Sequence, residues 1–269
     1  MKMYQVDSFS AEPFAGNPAG VCLLVQPASD EWMQSIASEL NLSETAFLLR
    51  EGDCFRLRWF TPKTEVVLCG HATLAAAHVL FTECLYNVEE TIRFLTLSGE
   101  LRASMRGDII WLDFPMTDPK PLRIPESLLH LFRSTVVDAA KNDNDWLLEL
   151  DDPRELRAFS GRFDSIESHP PGGIILTARS DVPKSDFIYR YFAPWLGIDE
   201  DPVTGSAQVL LAPYWMQKLH QDYFRSVQVS KRGGELVSIV KDDRVMIGGQ
   251  AITVFSIDLK YRAQEDFVL

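Results

Sequence analysis

Two short segments of the chain combine small residues with side chains that can do chemistry. The first is Gly70-His-Ala-Thr73, and the second is Thr204-Gly-Ser-Ala207. Each predicts the start of a helix, where free backbone N–H groups and the positive end of the helix dipole can bind an anion. Glycine also lets a ligand approach the backbone closely. The sequence therefore predicts two sites suited to a carboxylate.

Matching positions of the two segments carry different side chains. His71 matches Ser206, and Val66 matches Asp201. Such an asymmetry suits an asymmetric task, for example removing a proton from one carbon and returning it to another. A proton shuttle needs a base whose pKa can rise toward neutrality on burial. Glu44, which an apolar stretch follows, is the best placed carboxylate.

Each of these residues also has a purely structural interpretation. His71 could bond only to a backbone carbonyl, and Ser206 could be only a helix-start residue. Asp201, which precedes a proline, could belong to a turn, and Glu44 could be an exposed turn acid. For each residue taken alone, the structural interpretation is stronger than the functional one. The presence of two matched helix starts favours the functional interpretation of these residues as a group.

The two segments belong to an internal repeat. Seven residues recur at a nearly constant distance: Arg58, Phe60 and Pro62 after 132 positions, and Glu65, Gly70, Ala72 and Gly99 after 135 positions. Solenoid repeats are much shorter, roughly 20–50 residues. The chain of 269 residues is therefore predicted to form two related globular halves, 1–118 and 119–269, that face one another across one cleft. The boundary falls in a segment that carries four prolines.

The hydrophobic pattern predicts the elements that position these residues. Strands are predicted at Tyr4–Phe9 and Val21–Val25, with a loop over 11–20, and a helix is predicted from an N-cap at Asp30 to Asn41. Cys69 precedes an alanine-rich helix that runs to about Phe81 and is nearly free of charge. A helix that is apolar on nearly all sides is buried on all sides. The predicted fold class is α+β, and each half is a mostly antiparallel sheet or barrel wrapped around a central helix.

Composition narrows the function classes. The net charge of −12 argues against nucleic acid and anionic membranes as partners, but local dipoles can still bind a small acid. The four cysteines form no Cys-x-x-Cys pair, so no metal site is predicted. No apolar run approaches the roughly 20 residues of a membrane span, and the chain starts without the apolar core of a signal peptide, which predicts a cytoplasmic location. The acidic run over 142–152 is interpreted as a solvated loop and strand edge.

Several motifs occur together along most of the chain: Asp7-Ser-Phe9, Phe14-Ala-Gly-Asn-Pro-Ala-Gly-Val21, Asn41-Leu-Ser-Glu-Thr-Ala-Phe47, Arg58-Trp-Phe-Thr-Pro62, Cys69-Gly-His-Ala-Thr-Leu74, Ser98-Gly-Glu100 and Asp201-Pro-Val-Thr-Gly-Ser-Ala207. In this order they resemble the phenazine-biosynthesis PhzF-like family, whose fold is related to that of diaminopimelate epimerase. The resemblance implies two αβ domains, an active site between them, a homodimer, and a last strand that can cross back to the first domain.

The resemblance also implies a cofactor-independent isomerase. The glutamate acid/base of the family falls on Glu44, and the supporting residues fall on His71, Asp201 and Ser206. The substrate-binding positions are Asn17, Gly70, Ala72, Gly205 and Ala207. Neither a cofactor nor a metal is implied, and the expected partner is a small carboxylate substrate. The motifs do not specify which one, and no signal specific to phenazine synthesis is present.

Two alternatives remain open from the sequence. The chain could be a catalytically idle binding or scaffold protein that keeps the family fold. It could also be a one-base epimerase that uses Cys69 with Glu44, because Cys69 lies at a helix start that could lower the pKa of a thiol. Thr204 stands at the position that matches Cys69, so racemisation by two thiols is disfavoured.

Overall fold

A computed structural model describes residues 1–132, 135–160, 163 and 169–260. The chain divides into two compact units. One unit comprises Met1–Asp113 and the segment that begins at Gly248, and the other comprises Phe114–Ile247. Among the described residues, no helix has both the length and the apolar character that a membrane crossing requires.

Strands dominate the part of the chain that the structure describes. In chain order the elements are β1 (Lys2–Ser8), β2 (Asn17–Leu24), α1 (Asp30–Leu40), β3 (Glu44–Glu51), β4 (Cys54–Phe60), β5 (Glu65–Val66), α2 (Gly70–Thr82), β6 (Ile92–Thr96), β7 (Gly99–Arg106), β8 (Ile109–Pro115), β9 (Lys120–Pro121), α3 (Glu126–Leu129), β10 (Val136–Lys141), β11 (Trp146–Leu150), α4 (Pro153–Ala158), β12 (Ile174–Arg179), β13 (Phe187–Ala193), β14 (Ile198–Asp201), α5 (Gln208–Leu219), β15 (Tyr223–Gln228), β16 (Gly234–Lys241), β17 (Arg244–Gly249) and β18 (Ala251–Asp258). Short 3-10 helices cover Pro194–Leu196 and Gly205–Ala207. The prediction of an α+β fold is confirmed.

In the first unit the sheet surrounds α2. The strands pair in the order β18, β1, β2, β3, β4, β6, β7, β8, with β5 added to β4. Of these described pairs, only β2–β3 and β4–β6 are parallel. The helix packs against β1, β2, β3, β7 and β18, and its residues from Gly70 to Phe81 are all buried. Because this helix contains no Asp, Glu, Lys or Arg and four of its residues are alanine, the strands can close around it.

The second unit repeats this order of pairing. Its described ladder runs β9, β10, β11, β12, β13, β15, β16, with β14 added to β13, and two of these pairs, β11–β12 and β13–β15, are again parallel. The inner helix is α5, whose Trp215 stacks on Phe187 with ring centroids 5.5 Å apart. Gln208 of the same helix donates a hydrogen bond to Ser226 of β15 at 3.2 Å.

The repeated arginine has the same role in both units. Arg58 binds Glu65 through two hydrogen bonds of 2.7 Å, and Arg190 binds Glu200 through bonds of 2.6 and 2.8 Å. Each guanidinium also reaches the segment that connects two parallel strands: Arg58 contacts Asp30 at 2.6 Å, and Arg190 donates to the Phe159 carbonyl at 2.6 Å. Paired N–H groups of arginine fit a carboxylate well, so these bonds fix both segments to the sheet.

Two local predictions were wrong by a few residues. The N-cap of α1 is Ser29, whose hydroxyl accepts a hydrogen bond from the Trp32 N–H at 3.2 Å, and Asp30 is the first helical residue. The predicted loop over 11–20 ends early, because β2 begins at Asn17 and pairs there with Ser8. The end of α1 at Asn41 is confirmed, and this residue adopts the left-handed conformation with φ of 51°.

The interpretation of the acidic run as solvated was also wrong at two positions. Asp145 is 4% exposed and Glu149 is 7% exposed. Each carboxylate is buried because it has partners: Asp145 accepts hydrogen bonds from the Gly173 N–H and the Tyr191 hydroxyl, and Glu149 binds the Tyr214 hydroxyl at 2.6 Å. Buried acids need such partners, and these partners are too distant in the sequence to be recognised from the acidic run itself.

Candidate active site

The first unit brings Glu44 and His71 into contact. The distance from Glu44 Oε2 to His71 Nε2 is 3.1 Å, and the two side chains are 14% and 8% exposed. Among the described residues, neither atom has a partner with the geometry of a hydrogen bond. The pair is therefore close enough for an ion pair, and both atoms keep the capacity to bond with a ligand.

Local structure explains why these two side chains meet. Glu44 is the first residue of β3, and His71 lies in the first turn of α2. Ser8, at the end of β1, donates a hydrogen bond from Oγ to the His71 carbonyl at 2.8 Å and holds the start of the helix against the sheet. The first-turn N–H groups of a helix have no acceptor inside the helix, and they are the groups that can bind an anion.

Cys69 lies beside the other ring nitrogen of His71. Its Sγ is 3.5 Å from His71 Nδ1, and its carbonyl accepts a bond from Thr73 Oγ1 at 2.5 Å. The thiol is therefore near Nδ1, and the carboxylate is near Nε2. The alternative that His71 bonds only to a backbone carbonyl does not describe this ring, because both of its nitrogens face side chains.

Two of these groups have shifted pKa values. Burial by itself lowers the pKa of His71, but its contacts with Cys69 and Glu44 outweigh burial, and that pKa lies well above 6.5. Burial raises the pKa of the Cys69 thiol, and the Glu44 carboxylate raises it further. Because the thiol keeps its proton at neutral pH, the carboxylate is the charge that stabilises the imidazolium there.

The same three residues have metal-ligand chemistry, and their donor atoms lie within 4.8 Å of one another. The ring, however, faces Cys69 with Nδ1 and Glu44 with Nε2. Each ring nitrogen is thus within reach of a side chain that can give or take a proton.

Asn17 lies in the same corner of the first unit. It is buried, it pairs with Ser8 across β1 and β2, and its Oδ1 accepts from the Ser43 hydroxyl at 3.4 Å. Gly70 and Ala72 flank His71 in the buried first turn of α2. The structure therefore groups five of the predicted residues, Asn17, Glu44, Gly70, His71 and Ala72, within one unit.

The other four predicted residues lie in the second unit. Asp201 ends β14, and its carboxylate accepts a hydrogen bond from the Thr204 hydroxyl. Gln228 of β15 closes this turn, since its amide accepts from the Thr204 N–H at 2.7 Å and donates to the Asp201 carbonyl at 2.6 Å. Gly205, Ser206 and Ala207 form the 3-10 helix that leads into α5, and Ser206 is half-buried.

This second helix start differs from the prediction in one respect. The helix was expected from about Thr204, but the α-helical part begins at Gln208. The buried side chain of Gln228, which holds the turn before Gly205, was missed by the sequence analysis, as was Ser8. The signal for Gln228 was weak: it ends an alternating run in which Phe224 and Ser226 also point inward.

A cavity of about 160 Å³ lies elsewhere in the first unit. It is lined by residues of the opposite face of β3 and β4, among them Phe47 and Arg58, and by Met33 of α1. Glu44 and His71 do not line it. The Glu44–His71 pair and this cavity therefore lie at different places in the first unit, and the pair is the candidate site because its two groups can exchange a proton.

Comparison with known proteins identifies the family. The family model described as phenazine biosynthesis-like protein, PhzC-PhzF, matches residues 6–257. An uncharacterized isomerase of Halalkalibacterium halodurans is 46% identical over 96% of this chain and 97% of its own length. A phenazine biosynthesis-like domain-containing protein of Homo sapiens is 40% identical over 94% and 97%. The chain belongs to the PhzC-PhzF, phenazine biosynthesis-like family, as the motifs predicted.

Solved structures agree with this assignment. A PhzF-family protein of Enterococcus faecalis is 40% identical, covers 95% of this chain and 97% of its own, and superimposes with a TM-score of 0.89. A probable proline racemase from Agrobacterium radiobacter shares the fold with a TM-score of 0.62 at 11% identity, over 98% and 94% of the two chains. The relatives of this chain include proteins named isomerases, and the prediction of an isomerase is confirmed.

Proposed function

We propose that this isomerase moves a proton between two carbons of a small carboxylate substrate, with Glu44 as the acid/base. The observation that carries the proposal is the buried ion pair of Glu44 and His71, 3.1 Å apart at the start of α2. A positioned base that gives and takes the same proton needs no cofactor. The backbone N–H groups around Gly70 are the proposed holders of the substrate carboxylate, with Asn17 and Ala72 beside them.

His71 supports this role by its charge. With its pKa held high, the imidazolium is an opposite charge 3.1 Å from the Glu44 carboxylate and holds that carboxylate in position. We further propose that Asp201 and Ser206, with the backbone at Gly205 and Ala207, act on the same substrate. The shared cleft predicted from the repeat, the homodimer and the cytoplasmic location stay predictions.

Deuterium exchange tests the role of Glu44. The purified chain is incubated with candidate cyclic or unsaturated acids in D₂O containing a chelator, and deuterium in the recovered acid is measured by mass spectrometry. The Glu44→Gln variant should lose exchange by about 10²- to 10⁴-fold, the usual contribution of a general base. The matched control is Glu65→Gln, which removes a carboxylate bound to Arg58 instead.

Three results separate the proposal from the sequence-based alternatives. Exchange that survives in Glu44→Gln removes Glu44 as the base. A one-base epimerase requires the Cys69 thiol, so a Cys69→Ala variant with unchanged turnover excludes that mechanism. Replacement of Glu44, His71 and Asp201 without a phenotype, while residues of a surface patch cannot be replaced, would favour the idle binding protein.

A further inference from the structure

The position in the second unit that matches Glu44 holds a glycine. In the β3–β4 ladder, Phe60 pairs with the residue that directly follows Glu44. In the β12–β13 ladder, the repeated Phe192 pairs with the residue that directly follows Gly173. The two registers therefore align Gly173 with Glu44. The second unit lacks a carboxylate on the strand where the first unit has one.

Another side chain occupies that space. A Cβ atom built on Gly173 would lie 2.3 Å from Cζ and 2.6 Å from the hydroxyl oxygen of Tyr191. Both distances are far below van der Waals contact, so a residue larger than glycine would displace the phenol. The Tyr191 hydroxyl thus lies where the side chain that matches Glu44 would begin.

Asp145 fixes this phenol. The Tyr191 hydroxyl donates to Asp145 Oδ1 at 2.9 Å, and the Gly173 N–H donates to the same oxygen at 2.8 Å. Burial, and then the Asp145 charge, raise the pKa of Tyr191, so the phenol stays protonated. Its single proton points to Asp145, and the lone pairs of the phenol oxygen remain available as acceptors.

Tyr191 shares a sheet face with the second helix start. Tyr189, two residues earlier on the same face, donates to the Thr204 carbonyl at 3.2 Å. Tyr191 itself pairs in register with Asp201 across β13 and β14. Tyr191, Asp201 and Ser206 are all half-buried, so this polar corner is open to a small molecule.

We propose that Tyr191, held by Asp145, contacts the substrate in the second unit and accepts a hydrogen bond from it. The ligand that suits this contact is a small carboxylate that also carries a donor, either a hydroxyl or an ammonium group. Backbone N–H groups near Gly205 would bind the carboxylate, and the phenol oxygen would select the donor. This inference rests on the proposed function, because it adds a contact for the same acid.

Binding of two probes tests the proposal. Lactate carries a hydroxyl donor that propionate lacks, and both are titrated against the full chain by ligand-observed NMR. The wild type should bind lactate about three- to tenfold more tightly than propionate, as one hydrogen bond predicts, and Tyr191→Phe should lose the difference. Tyr214→Phe is the control: it removes another phenol that donates to a buried carboxylate, Glu149, and should keep the difference.

A steric variant checks the result without removing a polar group. Gly173→Ala should displace the phenol and lose the preference as Tyr191→Phe does, while circular dichroism reports the fold. Equal affinities of the two probes in the wild type, binding of neither, or a preference that survives Tyr191→Phe would overturn the proposal. Neither probe has to react, so a chain without deuterium exchange can still show the preference, and a chain with exchange can lack it.

Discussion

At the scale of single residues, the chemistry of the first unit depends on the position of one ring. The His71 imidazole is near the Glu44 carboxylate with Nε2 and near the Cys69 thiol with Nδ1, and all three groups are at least largely buried. In such a place the charge of one group decides the protonation of the next, because water screens it weakly. The pKa of His71 is therefore a direct measure of the interaction on which the proposed function depends.

We expect the Glu44→Gln variant to lower the pKa of His71. Burial alone disfavours the imidazolium, and without the carboxylate this effect is no longer opposed on the Nε2 side. The measurement is an NMR titration of the His71 ring signals in both proteins. Glu65→Gln, whose carboxylate pairs with Arg58 in the wild type, should leave the titration unchanged. An unshifted midpoint in Glu44→Gln would show that the 3.1 Å contact carries no electrostatic weight.

The sequence predicted some of these residues and missed others for a physical reason. Glu44 and His71 stand next to local signals, a strand start and a helix start, and each can be recognised from a few neighbours. Asp145 and Tyr191 are 46 positions apart, and only the register of β11, β12 and β13 brings them together. A run of acids was therefore interpreted as solvated, although two of its members, Asp145 and Glu149, are buried partners of phenols.

At the scale of elements, α2 is the part of the fold that the sequence predicts best. Its lack of charge and its small residues predict a helix inside the sheet, with an end near Phe81, and the structure has Gly70–Thr82. By contrast, β15 was missed. Its inward side chains include Ser226 and Gln228, which bond to Gln208 and Thr204, so the strand lacks the apolar alternation that marks a buried face.

Burial of α2 also sets a dependence of stability on pH through His78. Burial lowers its pKa to about 4, and its Nε2 is 3.1 Å from Thr253 Oγ1 of β18. Between the ordinary value of 6.5 and about 4, the unfolded chain binds a proton that the folded chain does not. His78 therefore lowers the free energy of unfolding as the pH falls through this window, by about 3 kcal/mol at most.

The His78→Gln variant should remove this part of the acid sensitivity. Glutamine keeps a polar group near Thr253 but takes up no proton in this range. Urea unfolding of both proteins at about pH 7 and about pH 4.5, the latter inside the window set by the lowered pKa, gives the change in the free energy of unfolding, and the variant should lose less of it on acidification. Thr253→Val, which removes the hydrogen-bond partner and keeps the burial, should retain the sensitivity of the wild type. An identical loss in wild type and His78→Gln would contradict the assignment.

At the scale of the whole chain, the two units differ in continuity. The second unit is one uninterrupted segment, Phe114–Ile247. The first unit combines Met1–Asp113 with the segment that begins at Gly248, after the second unit. Within the first unit, β18 lies along β1 from the Lys2–Asp258 pair to the Ser8–Ala251 pair, with a register shift between Gln5 and Val6. The last strand among the described residues therefore covers the edge of the first one.

Truncation after Gln250 tests this dependence. Without β18, the β1 edge has open N–H and C=O groups, and α2 loses one of the strands around it. Hydrogen exchange followed by mass spectrometry should show that peptides of β1 and α2 lose protection, while peptides of β12 and β13 in the second unit keep theirs as an internal control. The loss is expected in the first unit only, because an exposed strand edge destabilises the sheet to which it belongs. Equal loss of protection in both units would mean that they unfold as one, and full protection of β1 would mean that the β1–β2 ladder alone maintains the edge.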